Sequence, residues 1–140
     1  MNGTARIAVA LCWSQGAYFF ITGVWPLVSV ETFQLVTGRK TDHLVAARPT
    51  ALDHWMLYTI AGLILAIAIV LLLAAWRRRP SLEVALLGLA SAAALTAIDV
   101  IYVARGTIWP IYLADAAVEL AIIAVWCWVL QGWRRNPQPN

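Results

Sequence analysis

Three acidic residues stand in stretches of this chain that otherwise avoid charge. Asp99 interrupts an apolar run from Ser81 to Ala104, and Asp115 and Glu119 interrupt another from Thr107 to Gln131. Asp115 and Glu119 are four residues apart, so on a helix they share a face, with Glu119 about 6 Å further along the axis. Carboxyl groups in an apolar setting can receive a cationic ligand or pass a proton. Facing lipid they are costly, by about 2.5–3.5 kcal/mol each on insertion scales, so they are expected to turn toward one another. Tyr102, Arg105 and Tyr112 lie close to them in sequence, and Arg105 is a candidate partner for Asp99 or Asp115. Glu83, at the start of the third run, reads instead as a first-turn residue matched to the helix dipole.

The elements that must position these groups are long and apolar. Spans are expected at about residues 7–30, 55–75, 81–104 and 107–131. Each is long enough to cross a hydrocarbon core of about 30 Å, which takes ~20 helical residues. The chain has 140 residues, 62% hydrophobic and 12% charged, with a mean hydropathy of +0.76. A water-soluble domain would carry about twice that charged fraction. The fold class is therefore all-α, a four-helix transmembrane bundle forming a single integral membrane domain over residues 1–140. The first run is longer than the apolar core of a signal peptide and reads as a retained span.

The ends of the spans set an orientation. One side receives Arg6, Arg77–Arg79, Arg134 and Arg135; the other receives Arg39, Lys40, Arg48 and Arg105. Six basic residues against four place both termini in the cytoplasm. Trp25, Trp55 and Trp109 then mark the outer interface and Trp76 and Trp133 the inner one, while Trp13, Trp126 and Trp128 sit deeper, where they can pack between helices. Arg77–Pro80 reads as a tight turn with Ser81 capping the third helix, and Pro110 suits the first turn of the fourth. The long outer loop between the first two spans contains Val30, Phe33, Val36 and Thr37 at helical spacing, stopped by Gly38. Thr50–Asp53 resembles a capping box for the second span.

In that orientation all three intramembrane acids fall in the outer half of the bilayer. The third helix offers Gly88, Ala92, Thr96 and Asp99 on one face, the fourth offers Asp115, Glu119, Ile122 and Trp126, and the first offers Ser14, Tyr18 and Thr22. The expected ligand-binding set is Asp99, Asp115, Glu119, Tyr18, Thr22, Tyr102, Arg105 and Tyr112. No catalytic residue is assigned. No cofactor and no metal are expected: His43 and His54, each preceded by Asp, lack HExxH or i, i+4 spacing. There is no Gly-rich phosphate loop and no Gly-x-Ser-x-Gly elbow. Cys12 and Cys127 form no Cys-x-x-Cys pair. The formal charge of +3 is spread over span ends, with no basic stripe for nucleic acid.

Two segments carry a resemblance. Gly23–Ser29 with Phe33 and Val36–Asp42 is one; Ile98–Val100 with Tyr102, Ile108, Tyr112–Asp115 and Glu119 is the other. They resemble a family of small, uncharacterised bacterial four-span membrane proteins, which implies a cell (inner) membrane location and brings no activity with it. The layout alone is similar to the emopamil-binding-protein superfamily, four-span bundles with acids around an intramembrane pocket. Three functions are open: binding of a small amphiphile or lipid-like ligand in an outer-half acidic pocket, service as a structural or accessory subunit of a larger membrane complex, and transport of protons or cations. The expected partners are membrane lipids, with an amphiphilic ligand or a membrane protein partner according to which function holds.

Overall fold

The computed structural model describes residues 3–38 and 54–135. They form five helices in the order α1 (Gly3–Val28), α2 (Val30–Thr37), α3 (His54–Trp76), α4 (Leu82–Ala104) and α5 (Tyr112–Arg135). Four of these, all but α2, are long and apolar enough to cross a membrane. At 1.5 Å per residue they are about 35–39 Å long, which exceeds the hydrocarbon thickness. Their outer walls carry Ile21, Leu63 and Leu120, each more than half exposed. A bundle in water would bury such groups; hydrocarbon accommodates them. The chain is an integral, multi-pass membrane protein built as an all-α four-helix bundle.

The helix ends follow from local chemistry. Ser81 caps α4, its hydroxyl accepting from the Val84 amide at 3.4 Å. At the end of α3 the Arg78 and Arg79 amides donate to the Ala75 and Ala74 carbonyls at 3.0 and 3.2 Å, which closes the turn into α4. The short helix expected from Val30, Phe33, Val36 and Thr37 is α2, capped by Ser29 and ended at Gly38, whose φ of 85° suits glycine. α5 begins later than expected, at Tyr112. The segment from Trp109 to Ala114 opens with short-range bonds, such as Leu113 N–H to Pro110 at 3.0 Å, so Pro110 lies just ahead of the helix. The Thr50–Asp53 capping box, Arg39, Lys40, His43 and Arg48 lie outside the described residues.

Packing divides the bundle into two antiparallel pairs. α1 packs most extensively on α3, and α4 on α5; α1 and α5 join the pairs, while α3 and α4 touch little despite their tight turn. Small residues permit the close approach. Leu72 seats on Gly16, and Ala61 and Leu65 seat on Gly23, so that α3 lies against the α1 backbone. Ala68, Ala75, Ala85 and Ala92 are buried in the same core, which Phe19, Leu71 and Trp126 fill. Trp126 is fully buried, but Trp13 and Trp128 are about half exposed and face outward, contrary to the expectation that all three pack between helices. Cys12 is buried and Cys127 exposed, and neither is in a disulfide.

Candidate functional site

α4 rises toward the α2 end and α5 returns from it, which brings the acids to one region. Asp99 is 6% exposed, Glu119 is completely buried and Asp115 is half-buried. Measured along the helices, Asp99 lies about 16 Å above Gly88, and Asp115 and Glu119 lie about 16 and 10 Å above Trp126. Asp99 and Asp115 are thus level, with Glu119 one turn deeper. The carboxyls of Asp115 and then Asp99 are close enough to act electrostatically on Glu119. Both Glu119 carboxyl oxygens are buried with no hydrogen-bond partner among the described residues. In a low-dielectric interior that is a costly state for a carboxyl group.

Tyr112, half-buried at the start of α5, links the acids to α2. Its hydroxyl lies beside the Thr37 side chain and within electrostatic reach of Asp99. Thr37 donates to the Phe33 carbonyl at 2.8 Å. The next residue, Gly38, sits so close to the Trp109 ring that a Cβ there would lie 2.9 Å from it. At its other end α2 is held to α1 by Trp25, whose indole N–H donates to the Thr32 hydroxyl at 3.0 Å and whose ring meets Phe33 edge-on at 5.7 Å. The short helix therefore lies across one end of the bundle, from Trp25 to the α4–α5 turn.

Two hydroxyls of the α1 stripe bond back to their own helix. Thr22 donates back to the Tyr18 and Phe19 carbonyls at 3.0 and 3.2 Å. Ser14 is exposed and bonds the Ala10 and Leu11 carbonyls at 3.1 Å. Tyr18 and Thr22 are half-buried at the margin of the core. Arg105 also departs from its expected role. Its guanidinium lies 5.7 Å over the Tyr102 ring, and both residues are exposed, so this cation pairs with an aromatic face and not with Asp99 or Asp115. Of the expected set, Asp99, Asp115, Glu119 and Tyr112 are gathered, Thr22 bonds within α1, Tyr18 packs against the core, and Tyr102 and Arg105 pair with each other.

A polar contact absent from the expected set lies in the opposite half. Gln15 is fully buried. Its side-chain amide donates to the Gly88 carbonyl at 2.8 Å and accepts from the Trp126 indole N–H at 2.8 Å. One side chain of α1 thus ties α4 to α5. Glycine at 88 is required, because a Cβ would lie 2.7 Å from the indole nitrogen and 2.8 Å from the Gln15 oxygen. A glutamine inside an apolar span was the available signal, since such a group must find partners within the protein.

Chemically, the acidic region offers negative charge or exchangeable protons under an aromatic and hydroxyl roof. Among the described residues no three His, Cys, Asp or Glu side chains come together closely enough to hold a metal ion. No protein-family model, curated protein or solved structure matches this chain.

Proposed function

We propose that this protein binds a small amphiphile carrying a cationic headgroup, in the outer half of the bundle between α4, α5 and α2. The observation that carries this reading is Glu119, fully enclosed with both carboxyl oxygens unpartnered among the described residues and two further acids beside it. An ammonium group supplies hydrogen-bond donors and counter-charge to the Glu119 carboxyl, and the apolar walls accept its tail. What ranks binding above proton or cation transport is the opposite half. There Gln15, Gly88 and Trp126 satisfy one another, and Ile122 and Val129 fill the same face of α5. No acidic or basic side chain of α5 continues the path between Glu119 and Arg134. Membership of the small bacterial four-span group and an inner-membrane location belong to this reading on the resemblance alone, and cytoplasmic termini belong to it on the six-to-four distribution of basic residues.

The test compares dodecylamine with dodecanol on the purified native protein, Glu119→Gln and Asp115→Asn, by thermal unfolding and native mass spectrometry. Dodecylamine stabilises the native protein and dodecanol does not, and the Glu119→Gln variant loses most of the response. Equal effects of amine and alcohol, or an unchanged response in Glu119→Gln, refute the reading. Proton or cation flux in proteoliposomes that disappears in Glu119→Gln favours transport. A second protein retained through gentle purification favours the accessory-subunit role.

A further inference from the structure

The end of the bundle opposite α2 gathers a different chemistry. Arg6 lies in the first turn of α1, Arg77, Arg78 and Arg79 form the α3–α4 turn, and Arg134 and Arg135 close α5. All six are exposed and none is in an ion pair among the described residues. Glu83 is the one acid of the described residues at this end, and its side chain is engaged with Ser81. The turn has a second peculiarity. Arg78 has φ 52°, the only described non-glycine residue with positive φ. Its amide bonds back to Ala75 and that of Arg79 to Ala74, the reciprocal helix-end pattern in which this position is ordinarily glycine. A side chain with a Cβ is disfavoured in that conformation and glycine is not. The chain thus holds an arginine where local geometry favours its absence, and strain of that kind points to a use for the side chain. Beside it Trp76 is 78% exposed, at the level where an indole meets headgroups. The Trp133 indole nitrogen, next to Arg134, is buried with no acceptor among the described residues.

We infer that this arginine-ringed end is a binding surface for the phosphate groups of anionic phospholipids. Guanidinium groups present paired N–H donors that match phosphate oxygens, and basic residues just outside a span lie where those phosphates are densest. Six such groups from three separate segments, without an ion-pair partner among the described residues, suit a headgroup with more than one phosphate best. The site is independent of the acidic region, which lies at the other end of the bundle.

The full-length protein in neutral detergent is titrated with cardiolipin, phosphatidylglycerol, phosphatidylcholine and inorganic phosphate, followed by thermal unfolding and by native mass spectrometry. Cardiolipin gives the largest stabilisation and the most persistent adducts, phosphatidylglycerol less, and phosphatidylcholine and inorganic phosphate none. Replacing Arg77, Arg78 and Arg79 together by Gln weakens cardiolipin binding by about fivefold per arginine. Arg78→Gly relieves the backbone and so folds at least as well as the native chain, yet also binds cardiolipin more weakly. Arg105→Gln, at the opposite end, binds it as the native chain does. Native cardiolipin affinity in both turn variants overturns the inference, as does a response to phosphatidylcholine or inorganic phosphate equal to that of cardiolipin.

Discussion

Replacing Gln15 by Leu is the sharpest test of how the two helix pairs are joined. The change keeps the side chain's approximate volume but removes the acceptor of the Trp126 indole and the donor to the Gly88 carbonyl. Gly88 retains a second donor, the Ser91 hydroxyl at 3.1 Å, so its carbonyl is not stranded. The indole N–H of a fully buried Trp126 is. Side-chain hydrogen bonds between membrane helices average about 0.6 kcal/mol, with a maximum near 1.7. An unsatisfied buried donor costs about 1–3 kcal/mol. Together these put Gln15→Leu at roughly 2–3 kcal/mol of destabilisation. Trp126→Phe strands the Gln15 carbonyl oxygen instead and falls in the same range, with some added loss of packing. In the double variant both orphaned groups are gone, so its destabilisation is smaller than the sum of the singles by about 1–2 kcal/mol. Reversible unfolding in mixed micelles of denaturing and neutral detergent measures all four proteins. Strict additivity, or a Gln15→Leu variant within about 0.3 kcal/mol of native, refutes the claim that this contact locks the bundle.

Two further outcomes concern α2 and the cysteines. Trp25→Phe removes the indole bond to Thr32 and keeps most of the ring contact with Phe33. Amide exchange across Val30–Thr37 then quickens about two- to tenfold, the equivalent of ~0.5–1.5 kcal/mol for one hydrogen bond, and exchange in α4 does not change. N-ethylmaleimide in micelles modifies the exposed Cys127 first, and the buried Cys12 reacts only on unfolding; equal rates at the two sites contradict the packing of α1 described above.

The long elements were legible because hydrocarbon leaves a chain so few options. Any apolar stretch that crosses it must be helical, and lengths follow from bilayer thickness. Local chemistry made the Ser81 cap, the Val30–Thr37 helix and its glycine stop readable too. The buried face of α4 was readable from Gly88, Ala92 and Asp99, where small residues and an acid coincide. α1 resisted because it is apolar nearly all round, which erases the contrast that marks a buried face in water. Adjacent residues point about 100° apart, so choosing Ser14 in place of Gln15 as the inward polar group shifted that face by one position. Arg105 was misread for a related reason. Closeness in sequence to Asp99 favours an ion pair, but the guanidinium reaches the ring one helical turn back.

The unequal contacts among the helices bear on how the protein is made. α4 and α5 follow one another and clasp each other directly, so they can associate as soon as α5 is released into the lipid. α1 has no such neighbour beside it on leaving the ribosome, because its chief partner, α3, is synthesised only after α2 and residues 38–53. Until then its glycine face must stay solvated by acyl chains, and Gln15 waits longer still, for acceptor and donor groups on α4 and α5. A bond that closes late in biogenesis is therefore one whose donor and acceptor α1 has carried, unmet, until α5 arrives.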